Sequence, residues 1–383
     1  MVRDSGGIQI VEHSAEFIAA LPVWGVDGEP VLELGGGDHP AEEFTSIRGA
    51  IRFADGRVLI AEGGSNELRL FGPDGAYLAT WARRGQGPGE FSSVSSPMLH
   101  DGDTVFVMDL SARRTARFGP DGSFLGQFQH PQPPDPAGYV NLIRPWHDGR
   151  LLMEHRRRVP APSSATGPIS RDSFAIGWMA AGASRVDTLA IVPAYEWFPG
   201  EFSEGGPSFL SYGDVTFGKD TRLGHDGRRL FIGTNATNEI RLYEGGALRR
   251  VMRDATPAEP VTTEHQAQYL REREASFQRN NVSEQVRDIW RANLERNTRF
   301  AAVFPFHDRL MIGDDGSLWV EMVRRYEDEG RRFVVYDTAG RAMARAEFPE
   351  RVRPLQVGPD YLVGMWRDPD DVPHLRVWRV GRH

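Results

Sequence analysis

Four acidic residues stand at matching places in this chain, each within or closing a short apolar run. They are Glu62 after Val58–Ala61, Asp109 after Val105–Met108, Glu154 in Leu151–His155 and Glu321 in Leu318–Met322. If these runs are strands around a common axis, the carboxylates converge at one end of it. Such a set can bind a divalent cation, calcium first and zinc second, or act as general acid and base where crowding raises one pKa. His155 adjoins Glu154, and His307 lies in Phe304-Pro-Phe-His-Asp308. Either imidazole can be a ligand or a base, which makes Glu154, His155 and His307 the candidate catalytic set. Asn141, Arg144, Trp197, Tyr212 and Asn235 are the candidate ligand-binding residues. The plainer alternative is that each acid caps a loop or pairs with a neighbour such as Arg113, Arg156 or Arg324. His100, His147 and His225 each precede Asp-Gly, and turn chemistry accounts for them better than a zinc ring does.

Other chemistry has no carrier here. The sequence contains no Gly-x-Ser-x-Gly, no His-Glu-x-x-His and no Walker loop. Its glycine-rich runs at Gly35 and Gly85 lead into strands, not into the helix that a phosphate cradle requires. Zero cysteines exclude disulfides and thiolate sites. A net charge of −8 argues against a non-specific nucleic-acid binder. No run of apolar residues is long enough for a transmembrane helix.

The elements that must position these residues recur. Glu67–Trp81 and Arg113–Phe128 are both strand-turn-strand units around Gly-Pro-Asp-Gly, with weaker echoes at Glu239–Met252 and Arg332–Phe348. A spacing of about 45 to 50 residues, built of short strands, predicts a β-propeller. Five blades marked by Asp-Gly turns and a sixth with only three strands near the end give an all-β fold of six blades in a single domain over 1–383. Pro30–Leu34 is expected to supply the outer strand of blade 6, because Gly35–Phe44 echoes the Gly85–Phe91 run that follows the outer strand of blade 1. Pairing the two chain ends removes free sheet edges.

The short turns fall on one face and the long connections on the other: Gln129–Gly138, Arg156–Asp172, Pro193–Gly213, Arg253–Arg299 and Met365–Pro373. Long insertions on one face of a repeat array mark a binding face. Between blades 4 and 5, residues 262–298 are expected to form a helical hairpin on that face. Thr263 and Gln266 would make its capping box and Ser283 would cap its second helix. Val286, Ile289, Trp290 and Leu294 would form a stripe packed on the rim or serving as a lid.

Over its whole length the chain resembles the bacterial six-bladed propellers of the NHL-repeat type, through Arg84–Phe91, Phe118–Gly122 and Asp314–Val320. The resemblance implies an extracytoplasmic location, since such proteins often carry an export signal or lipid anchor. The start Met1-Val-Arg-Asp-Ser-Gly-Gly has no signal-peptide core. Six-bladed propellers also include calcium-dependent lactonases and phosphotriesterases, whose Glu, Asn and Asp ligands begin the innermost strands. Only Asn141 and an aspartate between Asp214 and Asp220 match that pattern. The expected function is therefore binding of a small molecule, glycan or protein at the long-loop face and channel mouth. The alternative is a divalent-cation-dependent hydrolase of lactonase, esterase or phosphotriesterase type at that mouth, and a metal-free lyase or cyclase is a third reading.

Overall fold

The computed structural model describes the chain except residues 27, 38, 101–103, 131–137, 158–159, 181–184, 281, 326–327 and 383. It opens with strands β1 (Val2–Ser5), β2 (Ile8–His13), β3 (Val23–Val26) and β4 (Leu32–Leu34), with the short helix α1 (Ala15–Ala19) after β2. A succession of antiparallel meanders follows. The first is β5 (Ile47–Arg52), β6 (Val58–Glu62), β7 (Glu67–Phe71) and β8 (Tyr77–Ala82). The second is β9 (Met98–His100), β10 (Thr104–Asp109), β11 (Arg114–Phe118) and β12 (Phe124–Gln129). The third is β13 (Gly138–Pro145), β14 (Leu151–Arg157), β15 (Ser170–Met179), β16 (Asp187–Phe202) and β17 (Phe209–Asp214). The fourth is β18 (Thr221–His225), β19 (Arg229–Thr234), β20 (Glu239–Glu244) and β21 (Ala247–Asp254). Helices α2 (Thr263–Arg279) and α3 (Glu284–Asn297) precede the fifth, β22 (His307–Ile312), β23 (Leu318–Met322), β24 (Gly330–Tyr336) and β25 (Ala342–Pro349). The last is β26 (Val352–Val357), β27 (Tyr361–Arg367) and β28 (Pro373–Arg382).

Tight hairpins make these meanders. Gly56 and Gly316 take φ of 90° and 81° in their Asp-Gly turns, a region open to glycine without strain. The preceding aspartates Asp55 and Asp315 accept the backbone N–H two residues on, at 3.1 and 3.0 Å. Two turns expected here, at Ala181 and after His100, fall on residues outside the described set, as does most of Gln129–Gly138.

Apolar faces are buried between neighbouring meanders. Leu59, Leu68 and Leu70 pack with Val105, Val107 and Phe118 across the first pair. Phe231, Ile240 and Leu242 pack with Leu310, Leu318 and Val320 across the fourth and fifth. The last meander packs back on the first, where Val363, Leu375 and Val377 share a core with Val58, Ile60 and Phe71. First strands β5, β9, β13, β18, β22 and β26 all contribute to the wall of one axial cavity. This is the architecture of a β-propeller.

The N-terminal residues do more than the sequence reading assigned to them. β4 pairs with β28, Leu34 opposite Leu375, as expected for the missing outer strand. Beyond that expectation, β2 runs parallel to β21, and β3 lies between β25 and β28. Trp24 on β3 is buried beside Trp319, with ring centroids 5.9 Å apart.

Two other expectations change. Pro193–Gly213 is not a loop: β16 continues to Phe202 and returns as β17, so the aromatic residues there pair across a hairpin. Helix α2 is capped by Thr262, whose Oγ1 accepts His265 N while Thr262 N donates to His265 Nδ1. The box thus starts one residue earlier than expected, with His265 in the place of Gln266. The hairpin docks on that extension, where Asn293 bonds Ser203 N and O at 3.1 and 2.7 Å and Asn297 bonds Glu201 O at 2.7 Å.

Because Trp24 fills a space between two meanders, Trp24→Ala is expected to lower stability by about 3 kcal/mol. A urea midpoint equal to that of the parent would show that β3 contributes little.

Candidate functional site

The channel has two chemically different ends. At the end where second strands finish, on the face that also carries the long connections, stand the acids that the sequence singled out, and two of them are fully occupied. Glu62 is 1% exposed. Its Oε1 accepts Thr45 N, Thr45 Oγ1 and Ser46 N at 3.0, 2.9 and 2.8 Å, and Oε2 accepts Ser65 N and Ser65 Oγ at 2.5 and 2.9 Å. Burial opposes this charge, but the donors from Ser65, Ser46, Thr45 and Gly64 outweigh it and hold the pKa down at about 2. Asp109, equally buried, accepts Ser92 N, Ser93 N and Ala112 N at 3.0, 3.2 and 3.1 Å. Phe44-Thr45-Ser46 and Phe91-Ser92-Ser93 are therefore the same clamp used twice, which explains the echoed Glu-Phe runs. Asn235 repeats it without charge: Oδ1 accepts Asp220 N at 2.6 Å and Nδ2 donates to His307 O at 3.0 Å.

The remaining acids are held by arginines. Glu321 takes Arg309 Nε at 2.9 Å and Arg331 Nη1 at 2.5 Å. Glu154 takes Asn141 Nδ2 at 2.8 Å and Arg156 Nε at 3.2 Å. Among the described residues no three histidine or acidic side chains come together as a metal group. Glu62, Asp109, Glu154 and Glu321 do not fit a cation site, because their oxygens already serve loop amides and guanidiniums.

The expected catalytic set is not assembled either. Glu154 and His155 are adjacent on β14, so their side chains leave opposite faces of the sheet. His307 is fully buried against Gly233, and burial holds its pKa at about 4, so its ring is neutral and has no open face. Trp197 and Tyr212 stack edge to face at 4.3 Å on the β16–β17 hairpin, away from the channel wall. Trp197 Nε1 donates to Asp172 at 3.2 Å, and Tyr212 Oη donates to Pro160 O at 2.6 Å.

A ligand-sized cavity lies at the opposite end, ringed by the first-to-second-strand turns. Its volume is about 730 Å³, and its polar wall includes Arg52, Arg144, His225, Asp314, Gln356 and Tyr361. Of the residues singled out as sites from sequence, only Arg144 is here. Tyr361 Oη donates to Asp314, as does Gln356 Nε2 at 2.7 Å. The Arg52 guanidinium stacks 4.6 Å from the Tyr361 ring centroid. Burial pushes the Asp314 carboxyl up despite those two bonds, and burial together with Asp314 pushes the Tyr361 phenol up. Gln356 also grips the Arg52 backbone, accepting its N–H at 2.6 Å and donating to its carbonyl at 3.2 Å. The signal for the others is their position: Arg52, His225 and Gln356 are polar residues near the ends of first strands, next to the turns, as Arg144 is.

No family model matches this chain, and no curated protein matches it. Among solved structures it is similar to a member of the DUF4221 family from Bacteroides vulgatus, with 11% identity over 95% of this chain and 100% of that one, at a TM-score of 0.50. It is also similar to a Bacteroides fragilis protein named as a candidate for export (12% identity, 98% and 99% covered, TM-score 0.48). A third is regucalcin, a calcium-binding protein of Agrobacterium tumefaciens (13% identity, 94% and 97% covered, TM-score 0.37). At such identities the DUF4221 likeness is one of fold.

The clamp has a measurable pH signature. Glu62 has a folded pKa of about 2 against an ordinary 4.5, so its stabilisation is complete above about pH 4.5 and is lost as pH falls towards 2. Glu62→Gln is expected to cost roughly 3 kcal/mol at pH 7 and to flatten that part of the stability curve. An unchanged denaturation midpoint at pH 7 would contradict the clamp.

Proposed function

We propose that the chain is a ligand-binding protein, a closed six-bladed propeller acting as one domain, which holds a small polar molecule in the channel at its turn end. The observation that carries this reading is the 730 Å³ cavity in which side chains from separate meanders converge. Support for the closed ring comes from the shared core of the last and first meanders and from Gln356 bridging β26 to β5. Of the three expected partner classes, a small molecule matches a pocket of this volume at this channel mouth, whereas a protein needs a broader face. The NHL-type resemblance supports an extracytoplasmic location. No helix among the described residues is long and apolar enough to cross a membrane.

Asp314, Tyr361 and Gln356 form a fixed hydrogen-bonding wall, and Arg52 adds a cation stacked on it. Such groups orient hydroxyls or amides of a bound molecule. The cation-dependent hydrolase would need carboxylates with free lone pairs at the other end, and Glu62 and Asp109 have given theirs to backbone amides.

Two titrations by thermal shift separate these readings, since a ligand of the folded state raises its stability by mass action. On metal-stripped protein, calcium, zinc and manganese are expected to leave Tm unchanged. A library of small polar metabolites is expected to contain stabilisers whose effect is weakened by Tyr361→Phe with Gln356→Leu. A calcium shift abolished by Glu154→Gln or Glu321→Gln would instead establish the cation site.

A further inference from the structure

We propose that this cavity selects small monoanions and that Arg144 binds their carboxylate, an assignment that rests on the cavity being the ligand site. Arg144 is a half-buried guanidinium on the cavity wall whose hydrogen bonds are all to neutral acceptors. Nη1 meets His225 Nδ1 and His225 O, both at 3.4 Å, and Nη2 donates to Leu99 O. Among the described residues its Nε makes no hydrogen bond, and no carboxylate stands within ion-pair distance. A partly desolvated cation without an ionic partner gains by meeting an anion, so Arg144 facing the cavity favours one there.

The surrounding groups sharpen the argument. The acid nearest in charge effect, Asp226, is already filled: its oxygens accept Arg228 N, Arg229 N and Arg229 Nε, each at 2.8 Å, and it pairs with Arg229 Nη2 at 2.7 Å. Arg229 thus occupies the carboxylate nearest Arg144, which leaves Arg144 the unpaired cation on this side of the wall. His225 cannot offset it. Its Nδ1 faces a guanidinium and so presents a lone pair, and burial with the Arg144 charge holds its pKa at about 3, leaving a neutral ring. Burial also lowers Arg144 itself to about 10, which still leaves it charged at neutral pH. Arginine's planar fork matches a carboxylate edge.

Elsewhere the wall has the opposite character. Asp314 and Asp315 stand together beside Tyr361 and Gln356. A second anionic group on the ligand would meet these carboxylates, whereas hydroxyl or amino hydrogens would find acceptors. The class that fits both parts is a small monocarboxylate with hydrogen-bond donors away from its acid.

The test compares three probe sets on the intact protein by thermal shift and by titration calorimetry: small hydroxy- and amino-monocarboxylates, their uncharged amides, and dicarboxylates of equal length. Stabilisation by monocarboxylates, with at least tenfold weaker binding of the matching amides and dicarboxylates, is the expected result. Arg144→Gln should remove that preference, and Arg144→Lys should restore part of it. The comparison within the parent protein needs no variant, so a poorly folded Arg144→Gln leaves the test standing. Equal binding of acids and amides, weakened by Tyr361→Phe with Gln356→Leu, would overturn the anion assignment and leave the cavity reading intact. Binding of none of the three sets would overturn the anion assignment, and a metabolite library without any stabiliser would then remove the cavity reading as well.

Discussion

Buried carboxylates that hold loop amides organise one end of this molecule. A propeller meander is joined to the next by a connection that must turn inward to begin the new first strand, and that turn leaves backbone N–H groups facing away from water. Glu62 and Asp109 meet them from the ends of second strands, while Arg69 and Arg114 on the following strands take the carbonyls of the same connections, at 3.0 and 2.9 Å from Ala41 and Glu43 and at 3.0 and 2.8 Å from Gln86 and Glu90. Acid and arginine together satisfy both polarities of an otherwise orphaned backbone. First strands β5 and β9 enter the channel in register because the connections before them are pinned.

Pinned entry matters because no meander has a sufficient core of its own. The apolar clusters lie between neighbours, and side-chain bonds to the next meander's backbone accompany them. Arg57 reaches Pro120 O at 3.0 Å, Arg113 reaches Val140 O at 3.0 Å, Arg229 reaches Gly316 O at 3.0 Å and Arg309 reaches Pro354 O at 2.9 Å. Of the 45 basic residues only Lys219 is a lysine, and the arginines have a structural use here, since a long planar donor can bridge two sheets and bond a carbonyl at the far side. Arg144 belongs to this set by its bond to Leu99 O, yet it alone among those named here also faces a large cavity while lacking a carboxylate partner.

Much of the fold was legible because its signals are local. Asp-Gly between alternating apolar runs fixes a hairpin wherever it occurs, and the repeated Glu-Phe segment correctly placed β4 beside β28. The β16–β17 extension was not legible, because Pro193 and Pro199 read as breaks in a strand that is continuous. The parallel course of β2 beside β21 had no local signal at all, since a strand's partner far along the chain leaves no mark on its own sequence. For the site, residue type was readable but its employment was not. An acid at a strand end looks the same whether its lone pairs face a cation or two backbone amides, and Glu62 differs from a ligand only through Thr45, Ser46 and Ser65. Arg144 was found, whereas Asp314 and Tyr361 were hidden in what looked like an ordinary turn and strand start.

The N-terminal strands carry one further consequence, for the order in which the molecule can be completed. β2 requires β21, β3 requires β25 and β28, and Glu33 on β4 pairs with Arg376 across 343 residues of chain. During synthesis these strands emerge long before their partners and are thus among the last to find their place. Until then β1 and β2 can form only their own hairpin, and a lone two-stranded hairpin is marginal in water. Contacts so distant in sequence make folding slow and expose apolar edges meanwhile. Strands β2, β3 and β4 behave as a clasp that fastens only when β21, β25 and β28 arrive.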